Sequence, residues 1–291
     1  MYKWVRKLGL DTFEQFNGGD AVILGYGPAP LRRPLSGQDG MVRIAGGPTA
    51  FIETLSRGMA VTSISTSTPV MGVCDDGSGR VSVHLGSGEI VTSERVLVSI
   101  PLRVAATNLE MPWAPPSLLD AMRRTPTWMS THAKAVALFD RPFWRDAGLA
   151  GRIASRTGPL MEAHDHSGAN GTPAAISGFV GWPPDVRRKD PEGLRQAILK
   201  QLAECFGPSA AHPIDLVVQD WATNRNIVTD LDLSAPADHP DVGLAILRQA
   251  YLGDRVRIAV SEASEVSPGL IEGALAAGEQ AAGDILADLS Y

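Results

Sequence analysis

Lys134 lies inside the apolar run Ala133-Lys134-Ala135-Val136-Ala137-Leu138-Phe139. A lysine in such a run either snorkels to water or is held inward at a site, where burial depresses its pKa. A second chemistry-bearing stretch lies near the C-terminus. Val260-Ser261-Glu262-Ala263 leads to Pro268-Gly269-Leu270-Ile271-Glu272-Gly273-Ala274 and then Gly278-Glu279-Gln280-Ala281-Ala282. The spacing predicts a strand end, a short turn and a helix entered at Pro268 and Gly269, because proline fits a first helical turn. The N–H groups of Leu270 and Ile271 then sit at the positive end of the helix dipole, ready for an anionic or carbonyl acceptor. Gly273, Gly278 and Gly283 remove side chains from that helix, so another backbone or a flat ligand can approach. Gly46-Gly47 ahead of a helix either cradles a phosphate or simply turns the chain, and Trp221, between a strand and a polar loop, is either a core aromatic or a site residue.

Other combinations fail on mechanics. Gly25-Tyr26-Gly27 follows an apolar strand, but a dinucleotide fingerprint needs a third glycine and a helix start where Pro30 stands. His164-Asp165-His166 lacks the further ligands of a metal sphere and reads as a solvated loop. Arg187-Arg188-Lys189 reads as a solvated face, and no G-x-S-x-G elbow is present.

The elements that must position these residues alternate short strands with few helices. A short amphipathic helix opens residues 1–16, a strand follows at 21–24, and residues 25–47 read as loop. A helix is expected over 51–57 with Thr49 as its N-cap. Strands starting at Val70 and Val81 and a longer one over 90–100 form a meander. A brief helix is expected over 117–124, and strands over 133–139, 174–180, 214–218 and 256–260. Asp190-Pro191-Glu192 signs the start of a helix whose face runs through Leu194, Ala197, Ile198, Gln201, Leu202 and Cys205, closed by Gly207-Pro208. Residues 224–245 read mostly as loop. The fold class is therefore mixed α/β (α+β) rather than a purely parallel sheet.

The 291 residues can bury one large core or two modest ones. With 44% hydrophobic and 20% charged residues the chain is globular. A net charge of −6 argues against nucleic acid or an anionic membrane as the main partner. No apolar run approaches the roughly 20 residues that span a bilayer, and the N-terminus lacks a signal-peptide core. Cys74 and Cys205 are far apart, which suits a reducing cytoplasm.

The order Ser-Glu, Gly-Leu-Ile-Glu-Gly-Ala, Gly-Glu-Gln-Ala-Ala at the C-terminus resembles the closing segment of the FAD-dependent amine oxidases, the monoamine oxidase family. The resemblance implies flavin-side positions at Ser261, Glu262, Leu270 and Ile271, with the acidic residue near the ribityl-phosphate part of FAD. Ala45-Gly46-Gly47-Pro48-Thr49 is similar to the family's turn before an FAD-proximal helix. Pro69-Val70 is similar to a strand whose backbone touches the adenine end. Lys134 through Phe139-Asp140-Arg141-Pro142-Phe143-Trp144-Arg145 resembles the family's central motif, whose lysine holds a water near flavin N5 and assists reaction with oxygen. The position of Trp221 resembles that of a tryptophan packed beside the flavin.

The likeness runs from about Trp4 to Leu289, without the family's glycine-rich βαβ unit and long helical insertion. Leu270 stands where the family usually has a cage tyrosine, Val260 replaces a glycine and Ser261 a threonine. The resemblance implies a partial FAD-linked architecture: β-meander, mixed substrate-side sheet and C-terminal flavin-flanking helix. Residues 1–105 and 246–291 are expected to form the FAD-side lobe and 106–245 the substrate-side lobe. An enzyme reading follows, in which a small amine or amino acid is oxidised to an imine with oxygen as acceptor. A separate FAD-binding subunit supplies the nucleotide site, and an uncovered apolar edge beside the C-terminal helix takes a partner or a second copy. The alternative is a non-catalytic relative acting as a binding or scaffold protein.

Overall fold

The run that contains Lys134 alternates strictly: Ala133, Ala135, Ala137 and Phe139 are buried, while Lys134 is exposed. That period of two marks a strand with one face on a core, and in the computed structural model it is the second strand of a seven-stranded sheet. The structure describes residues 1–37, 40–59, 64–234, 238–240 and 244–289. The chain divides into two compact units, one of residues 2–60 and 132–220, the other of Met1, 61–131 and 221–291. These bounds differ from the expected lobes. Residues 2–60 join the unit of Lys134, whereas 106–131 and 221–245 join the unit of the C-terminal helix.

In the first unit the sheet order is Asp215–Asp220, Ala133–Phe139, Ala174–Val180, Leu160–Asp165, Leu149–Ser155, Asp20–Leu24, Leu31–Arg33. Every pairing is antiparallel except that of Leu149–Ser155 with Asp20–Leu24, so the sheet is mixed as expected. Helix Pro191–Phe206 covers the inner face through Leu194, Ile198, Leu202, Cys205 and Phe206. Asp190 caps it by accepting from the Gly193 N–H at 2.8 Å, and Gly207 at φ 94° ends it. Gln201 sits on this apolar face, 3% exposed, because it satisfies the backbone of Leu160 at the start of strand Leu160–Asp165. Its Oε1 accepts from the Leu160 N–H and its Nε2 donates to the Leu160 carbonyl, each at 2.8 Å.

Several expectations are corrected in this unit. Residues 25–47 are not all loop: Leu31–Arg33 returns antiparallel on Asp20–Leu24, and Val42–Ile44 pairs with Thr12–Glu14. Residues 38–39 of that segment lie outside the described residues. The helix after Gly46 spans Gly47–Arg57, and its N-cap is Gly46 rather than Thr49. His164 and Asp165 belong to strand Leu160–Asp165, not to a loop. Arg187 is not on a solvated face. It is 4% exposed and forks onto Asp220, with Nε to Oδ2 and Nη2 to Oδ1 both at 2.7 Å.

The second unit holds the meander, Val70–Asp75, Val81–Leu85 and Ile90–Ser93, in the expected antiparallel order. The third strand ends early, because Val96–Val98 leaves the meander to pair in parallel with Val256–Ile258. Ala250–Tyr251 completes that second, three-stranded sheet. Helices Leu102–Asn108 and Pro116–Arg124 pack a core of Val73, Val98, Leu102, Leu118, Met122, Leu247 and Val256. Arg103 is 7% exposed and pairs with Asp232 at 2.9 Å. Asp232 lies in Asp230–Ser234, a short helix within the expected loop 224–245, of which 235–237 and 241–243 are outside the described residues. Helix Ile271–Leu289 closes the unit. Among the described residues no helix is long and apolar enough to cross a membrane.

Candidate functional site

Lys134 is held by its strand on the face opposite the helix-covered core. It neither sinks into that core nor stands free. Its Nζ lies 4.8 Å from the centroid of the Phe179 ring, a cation–π contact. Together they line an open cavity of about 410 Å³ with Gln15, Arg43, His164 and His166. Of the two settings open to a lysine in this run, the inward one is therefore excluded: Ala133 and Ala135 are turned away into the core by the strand's alternation, and Lys134 shares the outer face with Val136.

Beneath the cavity's rim the strand Leu160–Asp165 sends Asp165 inward, where it is 1% exposed. Its Oδ2 accepts from Trp144 Nε1 at 2.8 Å and from Arg145 Nε at 2.7 Å, while Oδ1 accepts from the Ser167 N–H at 2.9 Å. Burial alone would raise this carboxyl, but the hydrogen bonds from Arg145, Ser167 and Trp144 outweigh it and hold the pKa below the ordinary value. His164 instead meets Glu162 at 2.8 Å. His166, though partly open to the cavity, is pushed down to about 4, first by desolvation and then by the charges of Arg43 and Lys134. Arg43 reaches the cavity from strand Val42–Ile44, anchored by its Nη1 on the Ser167 carbonyl at 2.8 Å. The sequence reading did not find Arg43 or assign His166 to a site. The available signal was the outward polar positions of two short strands.

Gly46 and Gly47, in the same unit, have φ of 77° and 68°, a conformation that favours glycine. A Cβ on Gly47 would meet open space, and no side chain caps the helix start. The turn thus leaves room for an acceptor at the helix N-terminus.

The other expected positions lie in the second unit. Val70 begins the meander, 38% exposed. Trp221 opens a short turn right after strand Asp215–Asp220 and is 36% exposed, so it is not a core aromatic. Ser261 and Glu262 form a turn packed on helix Ile271–Leu289. Glu262 is 7% exposed and accepts from Ser261 Oγ at 2.8 Å, and a carboxylate keeps further lone pairs for other donors. The helix itself starts at Ile271, later than expected, because Pro268 and Gly269 make a turn with Gly269 at φ 74°. The Leu270 N–H is not freed, since it donates to the Ser267 carbonyl at 3.2 Å. Leu270 and Ile271 are both exposed.

Within the first unit the uncapped Gly46-Gly47 helix start can admit an anionic group, and within the second Glu262 can accept from further donors. Comparison with known proteins gives the family. Residues 12–286 match the family described as flavin containing amine oxidoreductase. The chain is similar to a probable flavin-containing monoamine oxidase A of Dictyostelium discoideum, 26% identical over 239 residues, covering 81% of this chain and 51% of that protein. It is 28% identical over 228 residues to an L-amino acid dehydrogenase of Synechocystis sp., covering 77% and 47%. The chain spans about half the length of the curated relatives it matches. In fold it is similar to putrescine oxidase bound to putrescine, with TM-score 0.80 at 15% identity, covering 98% of this chain and 85% of that one. It is likewise similar to cyclohexylamine oxidase from Brevibacterium oxydans IH-35A, with TM-score 0.81 at 17% identity, covering 99% and 85%. With its family-wide match over residues 12–286, the chain belongs to the flavin-containing amine oxidoreductases.

Proposed function

We propose that this chain carries the substrate side and the flavin-flanking helix of an FAD-dependent amine oxidase, which oxidises a small amine or amino acid to its imine with oxygen as acceptor. The observation that carries the reading is Lys134, singled out in the sequence and set over Phe179 in the wall of an open cavity. The chemistry FAD supplies when bound is acceptance of a hydride equivalent from the amine-bearing carbon and its passage to oxygen, released as hydrogen peroxide. The chain's own residues then bind and orient. The Lys134 ammonium holds a water and a proton at the cavity wall. Glu262 and Ser261 accept from cofactor hydroxyls, while Gly46 and Gly47 admit an anionic acceptor to the start of Gly47–Arg57. Val70, Trp221, Leu270 and Ile271 are assigned to the flavin side with them.

The nucleotide-binding part comes, in this reading, from a separate chain. Two observations support it. Strand Val96–Val98 is an edge strand, with Val256–Ile258 on one side, and Leu97 and Ile100 near it are 38% and 37% exposed. Val266, Leu270, Ile271 and Leu286 add exposed apolar surface at and before the C-terminal helix. Such an edge takes another strand readily, whether from a nucleotide-binding subunit or from a second copy. Free Cys74 and Cys205 suit the cytoplasm as its location.

The test is retention of flavin. The chain alone should emerge from gel filtration nearly colourless after incubation with FAD. With a nucleotide-binding partner chain it should emerge yellow, lose its flavin absorbance on anaerobic addition of amine, and form peroxide in air. Stoichiometric flavin on the chain alone would remove the separate subunit. Flavin binding without amine-driven bleaching would favour the non-catalytic, binding-protein alternative.

A further inference from the structure

The cavity beside Lys134 is unusually positive for a site meant to take an amine. Two basic side chains, Arg43 and Lys134, line it. Among the described residues its carboxylate is Glu162, which is already engaged by His164 Nε2 at 2.8 Å. The Arg43 guanidinium does not swing freely: one Nη donates to the Ser167 carbonyl at 2.8 Å, and the group lies 5.2 Å from the centroid of the Phe13 ring. A guanidinium held by one of its donors still offers a planar fork of others. His166 feels both cations and stays neutral near pH 7, with a pKa of about 4, so it adds polarity without adding charge. Phe179 supplies the apolar wall. Such a lining disfavours a diamine, whose second ammonium would face the two cations, and favours a ligand with an anionic end.

We propose that this cavity selects amines that also bear a carboxylate, with the carboxylate anchored on Arg43 in the positive field of Lys134. The substrate class is thus amino acids rather than simple monoamines or diamines. This rests on the amine oxidase reading, but its test does not need turnover.

Binding of 3-phenylpropionate, its neutral amide and 2-phenylethylamine to the flavin-free chain, measured by titration calorimetry, separates the outcomes. The carboxylate should bind about tenfold more tightly than the amide, a preference of the size expected for one charge-assisted contact. Arg43→Gln should abolish that preference and Arg43→Lys should keep part of it. Lys134→Gln, at an exposed position, serves as a second variant should Arg43→Gln unfold the chain, and it should lower carboxylate affinity about threefold or more. Equal binding of acid and amide, tighter binding of phenylethylamine, or a preference untouched by either charge removal would overturn the proposal. An anion-selective chain that never yields oxidase activity would refute the amine oxidase reading instead. An oxidase active only on simple amines would refute the carboxylate anchor alone.

Discussion

Lys134 and Phe179 stand directly opposite one another on neighbouring antiparallel strands, and the lysine ammonium lies 4.8 Å from the ring centroid. A cross-strand pair of this kind is a local contact on an open face, so it contributes little to folding. Lys134→Met should change the free energy of unfolding by no more than about 1 kcal/mol, read from a urea melt. In the flavin-loaded enzyme the same variant should leave amine-driven flavin reduction largely intact and slow reoxidation by oxygen. Stopped-flow absorbance separates the half-reactions, and an unchanged reoxidation rate would deny Lys134 its assigned role.

An inward-facing carboxylate two strands away in the same sheet behaves oppositely. Asp165 is 1% exposed and joins Trp144, Arg145 and the Ser167 backbone. Asp165→Ala leaves the Arg145 guanidinium without its carboxylate and should cost about 3 kcal/mol or more. Denaturant midpoints of the two proteins measure it, and a loss below about 1 kcal/mol would show the network to be dispensable.

Acid should act in two separate windows. His166 has a folded pKa of about 4, below the ordinary 6.5. Between those values the unfolded chain binds a proton that the folded chain does not, so stability falls as pH drops through that window. His166→Gln should flatten this slope, as followed by urea midpoints between about pH 7 and about pH 4.5. Asp165 is held below its ordinary 3.8, so its contribution is present above that value and is lost only on further acidification. An identical slope in His166→Gln would assign the first window to other groups.

The glycines of the C-terminal helix are not equivalent. A Cβ on Gly273 would stand 2.4 Å from the Ser267 carbonyl oxygen, which is backbone, whereas nothing lies within 4 Å of a Cβ on Gly278 or Gly283. Gly273→Ala should therefore destabilise by about 1–3 kcal/mol. Gly278→Ala and Gly283→Ala should each stabilise the isolated chain by up to about 1 kcal/mol, through helix propensity. Thermal melts rank the three. Destabilisation by Gly278→Ala in the chain alone would mean a packing contact in solution at that face.

Elements with strong local signals are legible in the sequence alone. Ala133–Phe139, Ala174–Val180 and the capped helix Pro191–Phe206 fall where alternation, turn residues and Asp190-Pro191 place them. Strands Leu149–Ser155 and Leu160–Asp165 were illegible because Gly151, Arg152 and the Gly158-Pro159 turn break their patterns. The end of the third meander strand is set by a distant partner, Val256–Ile258, which no local window contains. The same holds for the site. Lys134 announced itself by being charged among apolar residues, whereas Arg43 looked like one of several loop arginines until its strand paired with Thr12–Glu14.

The pairing of Asp20–Leu24 with Leu149–Ser155, and of Val96–Val98 with Val256–Ile258, interleaves the two units along the chain. During synthesis the first strand gains Leu31–Arg33 at once but must wait for more than a hundred residues before its parallel neighbour emerges, and the second waits longer still. Loops of that length make closure entropically demanding and folding slow. A ribosome that stalls or a chain that is clipped before Val256 would leave Val96–Val98 without its parallel neighbour. Such fragments should be chaperone clients rather than half-size working proteins.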